Sequence, residues 1–386
     1  MRLLAKFITT AFTVSCLIIH SLPTSYAAVS SPPVISAKSA IVIEAATGKV
    51  LYSKNGEERR YPASTTKMMT LITALEHSNP GDIVTASANA ADTEGSSLGL
   101  TQGEQQQMLD LLYGVMLVSG NDATVAVAEH ISGSTDKFAA LMTAKAHEIG
   151  AINTNFVNSS GLPDPNHYST AHDLSKIAAY GYKNPLFAKI VDTRYKTIPW
   201  PGKDHARALY NENRILNMYE GGNGVKTGYT EAAGRCLVSA AKRDNIQLIA
   251  VVLDADTMWG DSMALLDYGF RQVKPAMLYQ QGDIVKTVRV SNGRSASVPL
   301  ALTENVIVSV SNNDDKEFRT MIDVPLSVEA PVASGQKIGS VHILYQETEF
   351  AMIDLVATET IERKTFFSMI WGAVWNFFTF IIKNFA

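Results

Sequence analysis

Ser64-Thr65-Thr66-Lys67, Ser119-Gly120-Asn121 and Lys226-Thr227-Gly228 occur in that order, the second 55 residues after the first and the third 107 residues after the second. Singly, the first two are weak signals. S-x-x-K recurs at Ser134/Lys137, Ser239/Lys242 and Ser334/Lys337, and S-x-N recurs at Ser87/Asn89 and Ser311/Asn313. K-T-G occurs once. The ordered combination is specific. Ser64 follows Tyr61-Pro62-Ala63, where a helix should begin, and residues i and i+3 share a helix face, so the Lys67 amine can approach the Ser64 hydroxyl. A serine hydroxyl is a poor nucleophile until a base takes its proton. Lysine can be that base only when neutral, which requires burial and a second nearby cation. Met68 and Met69 supply apolar cover, and Lys226 is the candidate cation.

The contexts of the other two motifs fit the same picture. Ser119-Gly120-Asn121 lies in a break between two helical stretches, where a loop can aim a hydroxyl and an amide into a cleft; a helix stop at Gly120 with Asn121 as a cap is compatible with that role. Lys226-Thr227-Gly228 follows Gly221-Gly222-Asn223-Gly224 and reads as a sheet edge. Gly228 lets a bound peptide approach the backbone closely, pairing as an added strand.

Around these motifs, Ala40–Ala45 and Lys49–Ser53 flank Thr47-Gly48 as a hairpin. Helical periodicity runs from about Ser64 to Leu75, from Gln106 to Leu117, from Ala123 to His130, from Ser134 (a plausible N-cap) to Glu148, and from Ala171 to Tyr180. Arg235–Ala241 and Gln247–Leu253 read as strands joined at Asp244-Asn245, and Leu265–Val273 as a closing helix. This is an α+β arrangement, an antiparallel sheet with a helical cluster. From about Lys274 to Thr360 the chain changes to short strands (Val285–Ser291, Val298–Leu302, Val306–Val310, Phe318–Val324, Ile338–Tyr345) with a hairpin signal at Asn292-Gly293, predicting a small β-sandwich.

The ends differ from the body. Arg2 and Lys6, the apolar run Phe7–Ile19 and Ser25-Tyr26-Ala27 form the pattern of an export signal cleaved after Ala27. Phe366–Ile382 carries no charge, and its small or polar residues (Ser368, Gly372, Asn376, Thr379) fall in one wedge of a helix. That suits a helix lying in a membrane interface, with a short spanning helix and a docked core helix as competing readings. The predicted organisation is a signal peptide over 1–27, a catalytic domain over 28–273, a β-rich domain over 274–360 and an amphipathic anchor over 361–386. The protein is expected outside the cytoplasm, at the periplasmic, outer face of the cytoplasmic membrane.

Composition closes off other classes. Lys+Arg number 33 against Asp+Glu 37, so no basic excess points to nucleic acid. A hydrophobic share of 46% is too high for a disordered chain. Two cysteines exclude a disulfide scaffold, and cleavage of the signal leaves only Cys236. His167 and His172 bracket a loop beside Asp173, but no H-E-x-x-H pattern exists, and solvated loop and cap roles are expected for both.

The motif set resembles that of low-molecular-mass penicillin-binding proteins, specifically the D-alanyl-D-alanine carboxypeptidases. Gly95-Ser96-Ser97-Leu98, Asn158–Leu162 and Tyr168–Asp173 are also similar to that family's segments. The resemblance implies a penicillin-binding transpeptidase/β-lactamase-like fold and a hydrolase without cofactor or metal. Its Ser64 attacks the carbonyl between two D-alanines of a peptidoglycan stem peptide and forms an acyl-enzyme. Lys67 would be the base, with Ser119 and Lys226 assisting proton transfer. Asn121, Lys226, Thr227, Gly228 and Tyr229 would hold substrate, with the Ser64 and Tyr229 N–H groups as oxyanion donors. β-Lactams would be covalent inhibitors. Two positions depart from the family pattern: Tyr229 stands where many relatives have His, and Asp254–Leu265 lacks the arginine expected to help Thr227 grip the substrate's carboxylate. Lys226 and Thr227 sufficing, Arg235 moving in, or weak activity are the open alternatives. A β-lactamase and a weakly catalytic wall-binding scaffold of the same fold are the rival functions.

Overall fold

The computed structural model describes residues 31 to 310, 318 to 365 and residue 379. The predicted signal peptide and residues 366–378 and 380–386 of the predicted anchor lie outside the described residues; the anchor does not begin at 361 as predicted, since Ile361 and Arg363 are bridged to Val332 and Gly293.

A five-stranded antiparallel sheet organises the first part of the chain. Its strands are β1 (Ser39–Glu44), β2 (Val50–Lys54), β3 (Gly222–Thr230), β4 (Gly234–Arg243) and β5 (Ile246–Leu253), in the order β2-β1-β5-β4-β3. Both faces are covered, which explains why β5 is nearly continuous in apolar residues rather than alternating. Ile249, Val251 and Leu253 face one core with Ile41, Ile43 and Val238. Leu248, Ala250 and Val252 face the other with Ala40, Val42 and Leu237. The β4–β5 turn places Asp244 and Asn245 at φ of 48° and 65°, the left-handed pair that a tight two-residue hairpin needs.

The larger core belongs to the helical cluster: α1 (Lys67–His77), α2 (Met108–Leu117), α3 (Asn121–Ser132), α4 (Thr135–Glu148), α5 (Ala171–Gly181) and α6 (Pro185–Val191). Ser134 does cap α4, accepting from the Lys137 N–H at 3.3 Å. Helix α7 (Met258–Gln272) covers the opposite face of the sheet and starts seven residues before the predicted Leu265. Met258-Trp259-Gly260-Asp261-Ser262 conceal that start. Asp261 nonetheless anchors it, its carboxylate accepting from the Ala37 N–H at 2.8 Å and the Ser36 hydroxyl at 2.7 Å.

Lys274 onward is β-rich, as expected. A six-stranded sheet runs, in spatial order, Phe318–Asp323, Lys337–Tyr345, Thr348–Ala357, Ser297–Leu302, Ile284–Ser291, Ser327–Glu329. Lys274–Tyr279 and Val306–Val310 form a second, two-stranded sheet. Val290, Val308, Val341 and Leu355 share the core. Lys274–Tyr279 and Thr348–Ala357 were not among the predicted strands.

One buried ion pair ties an outlying hairpin (Tyr195–Ile198 with Arg207–Tyr210) to the body. Arg207 grips Glu104 with two guanidinium nitrogens at 2.6 and 2.9 Å and donates to Gly99 O at 2.9 Å; the two side chains are only 3% and 2% exposed. Burial pushes the Glu104 carboxyl up, but the hydrogen bonds and charge of Arg207 and the Gln106 amide overcome it and hold the group below the ordinary carboxylate range. Removing one partner strands a buried charge. Arg207→Met is therefore expected to cost about 3–5 kcal/mol in urea unfolding at neutral pH. The double variant Arg207→Met/Glu104→Leu should recover most of that loss.

Candidate active site

Ser64 lies in a 3-10 turn, Ala63–Thr66, immediately before α1 rather than at the helix N-cap. The turn still delivers the predicted contact: Lys67 Nζ is 2.9 Å from Ser64 Oγ. Lys67 is fully buried. Its other two partners are Asn121 Oδ1 at 2.7 Å and the Ser160 carbonyl at 2.8 Å. Both of those can only accept, whereas a serine hydroxyl can donate or accept. A neutral amine has two N–H groups and one lone pair. It can donate to Asn121 and Ser160 and accept the Ser64 proton, so the three partners match the uncharged form. Burial first, and the Lys226 cation second, push this amine well below the usual lysine range, against the pull of Glu212 and Asp122.

Asn121 opens α3, and its amide is oriented by a bond from Nδ2 to Glu94 O at 2.7 Å. The neighbouring Asp122, wholly buried, accepts from the Ser97 hydroxyl and the N–H groups of Leu98 and Leu100 at 2.7–2.9 Å. It fastens the 95–100 loop over the start of α3. Ser119, just before it, is 3% exposed with φ of 61°, a left-handed backbone that a non-glycine residue adopts only under constraint.

Loop 158–162 provides the floor. Asn158 Oδ1 accepts from the Gly161 N–H at 2.7 Å, and the Thr70 hydroxyl donates to Ser159 O at 2.6 Å. Gly161 has φ of 90°, and a Cβ there would lie 1.9 Å from Ala63 O, so only glycine fits against the nucleophile's turn. His167 corrects the sequence expectation. It is 1% exposed, not solvated, and its ring sits between the Thr66 hydroxyl at 2.8 Å and the Val157 N–H at 3.2 Å. Burial pushes it down to about 4, so it is neutral and structural. It immediately precedes the Tyr168–Asp173 segment, where Asp173 is also buried and accepts from Thr154 and Asn153.

Strand β3 brings the third motif edge-on to the first. A Cβ on Gly228 would meet Ser64 N at 2.9 Å and Ala63 Cβ at 3.1 Å. Lys226 is 1% exposed, and burial pushes its amine down to about 8, against the pull of Glu212. Thr227 Oγ1 lies 3.4 Å from Lys226 Nζ. Ser64, Ser119, Thr227, Gly228 and Tyr229 line one cleft of about 410 Å³, joined by Ser96, Glu212, Arg214, Met258 and Trp259. Sequence reasoning missed Glu212 and Arg214, which lie in a loop between two short elements. Arg235 pairs with Tyr229 across the β3–β4 ladder, is exposed and does not line this cleft. Among the described residues no group of acids, histidines or cysteines is placed to hold a metal ion.

Known proteins are similar to this chain in sequence and fold. Residues 26–257 match the family model described as D-alanyl-D-alanine carboxypeptidase, and residues 274–363 match that of the penicillin-binding protein 5 C-terminal domain. The D-alanyl-D-alanine carboxypeptidase DacF of Bacillus subtilis (strain 168) is 35% identical over 343 residues, covering 86% of this chain and 88% of the relative. Penicillin binding protein 5 from Haemophilus influenzae superposes with a TM-score of 0.62 at 30% identity, covering 86% of this chain and 100% of that one. A peptidoglycan synthesis regulatory factor (PBP3) from Streptococcus pneumoniae gives a TM-score of 0.70 at 25% identity over the same shares. With a matched family model over most of its length and its three motifs gathered in one cleft, this chain belongs to the D-alanyl-D-alanine carboxypeptidase family of penicillin-binding proteins.

Proposed function

We propose that the cleft trims the terminal D-alanine from peptidoglycan stem pentapeptides through an acyl-enzyme on Ser64. The observation that carries this reading is the Lys67 amine, wholly buried 2.9 Å from Ser64 Oγ, with two acceptor-only partners on its other sides. As Ser64 Oγ attacks the D-Ala–D-Ala carbonyl carbon, its proton passes to Lys67 Nζ. The N–H groups of Ser64 and Tyr229 receive the oxyanion; a donor of this kind contributes about 3–4 kcal/mol in other acyl-transfer enzymes. The C–N bond then breaks, and the proton reaches the leaving amine through Ser119. Water adds to the ester while its proton passes to Lys67; the bond between the acyl carbon and Ser64 Oγ then breaks, Lys67 returns the proton to Ser64 Oγ, and the shortened peptide leaves. Asn121, Lys226, Thr227, Gly228 and Tyr229 hold the peptide, Gly228 and Tyr229 along the β3 edge. A β-lactam presents the same acyl and carboxylate groups, so it takes the same path and stalls as the ester. The family assignment favours this reading over a β-lactamase and over a non-catalytic scaffold.

We also propose that residues 1–27 are an export signal and that 366–386 form an interfacial anchor at the outer face of the cytoplasmic membrane. The charge-free aromatic run at 366–382 supports the anchor. Among the described residues no helix is long and apolar enough to cross a membrane.

Benzylpenicillin should add once, on the peptide carrying Ser64, when the treated protein is digested and mapped by mass spectrometry. Ser64→Ala should lose the adduct and lower D-alanine release from a stem pentapeptide roughly a million-fold; a retained adduct would place the nucleophile elsewhere. Activity should also depend on both lysines. It rises with pH as Lys67 loses its proton and declines as Lys226 loses its charge at about 8. Lys226→Met removes a cation that holds the Lys67 amine down, so the acidic limb of the kcat/KM profile should move to higher pH. Deleting Phe366–Ala386 should release an active protein from membrane fractions; an unchanged membrane fraction would reject the anchor.

A further inference from the structure

Glu212 occupies an unexpected position. Its Oε2 accepts from the Thr227 hydroxyl at 3.3 Å and stands 3.9 Å from Lys226 Nζ. Lys226 and Thr227 are among the residues proposed above to hold the peptide, and the inference rests on that reading with its terminal carboxylate placed on these two donors. The Glu212 side chain is about half exposed (49%), so it can swing into solvent, whereas its backbone is held. The Glu212 N–H donates to Leu117 O at 3.1 Å. Asn211 and Asn213 on either side fold the loop onto itself, Asn211 Oδ1 accepting from Asn213 N at 2.9 Å and Asn213 Oδ1 from Ile215 N at 3.1 Å. The carboxylate is thus built into the cleft wall rather than dangling there.

Two carboxylates cannot share one hydroxyl and one ammonium without strong repulsion. The cation that would offset a second anion is missing from Asp254–Leu265. Arg214 stands on the same wall, its guanidinium 6.0 Å from the Trp259 ring centroid. We propose that Glu212 is a specificity-determining residue: its carboxylate stands in for the terminal carboxylate of a peptide on Thr227 and Lys226, and an acid-ended peptide binds by displacing it toward Arg214. The wall then lowers the advantage of a free carboxylate over a neutral terminus.

The test compares an N-acylated peptide ending in D-Ala-D-Ala with its C-terminal amide, in wild type and Glu212→Gln. Measured at a pH low enough to keep Lys226 charged in both proteins, the variant should lower KM for the acid roughly tenfold and leave KM for the amide unchanged. A parallel change in both peptides, or a higher KM for the acid, would overturn the proposal and leave Glu212 a mere support for Lys226. Calorimetry in a Ser64→Ala background separates this from the proposed reaction. There the acid peptide should bind about tenfold more tightly once Glu212→Gln is added. Equal binding with and without that change rejects the displacement even where D-alanine release is normal. Absence of D-alanine release by wild type rejects the reaction but leaves the binding comparison intact. Glu212→Ala run beside Glu212→Gln guards against a folding defect, since both must show the same acid-to-amide split.

Discussion

A buried lysine with no carboxylate at contact distance is the condition around which the rest of the structure is arranged. Lys67 touches a hydroxyl, an amide oxygen and a carbonyl, all formally neutral. An ammonium enclosed this way would carry a desolvation cost that such partners do not offset. The same enclosure suits an amine. Three separate pieces of chain must therefore meet at one nitrogen: the turn before α1, the first residue of α3 and loop 158–162. Each is fastened independently, by Asp122 on the 95–100 loop, by Asn158 and Thr70 on the floor, and by neutral His167 behind Thr66. The polar groups used for fastening are nearly all buried and satisfied, as a low-dielectric site requires.

The sheet supplies the second half of the electrostatics. Lys226 comes from β3, whose edge lies so near Ser64 that position 228 has no room for a Cβ. That closeness puts a cation beside Lys67 without a direct bond, so Lys226 disfavours charge on Lys67. Glu212 moderates the balance. It pulls both amines upward, Lys226 more directly, and so keeps a positive charge at the sheet edge at neutral pH. A site with two depressed lysines and one acid can hold one cation and one base at once, which general-base attack by a serine needs.

Much of this was legible because the signals are local. Residues 64 and 67 are one turn apart, and a 3-10 turn joins them nearly as well as the expected helix start. Ser134 capping α4 and the Asp244-Asn245 turn follow from backbone preferences that residue type alone reveals. What escaped depends on distant contacts. Helix α7 begins at Met258 because Asp261 bonds Ser36 and Ala37, more than 200 residues away, and no periodicity in Met258–Ser262 announces it. His167 appeared solvated because its neighbours in sequence are polar; its burial comes from Thr66 and Val157, which fold over it.

The carboxylate end of the cleft shows how far a motif-based reading extends. Asp254–Leu265 has no Lys or Arg. Of the open alternatives, Arg235 moving in does not match the structure, where Arg235 is exposed and outside the cleft lining. Arg235 lies opposite Tyr229 in register, yet its side chain is not part of the cleft wall. The charged groups there instead come from a loop with no motif of its own, whose shape depends on Asn211 and Asn213 turning the chain back on itself. Catalytic motifs mark residues that must sit at fixed spacing because they exchange a proton. Charges that merely set the potential around a substrate's terminus need only to arrive, from any segment, within several ångströms. Spacing therefore carries information about the first kind of residue and almost none about the second.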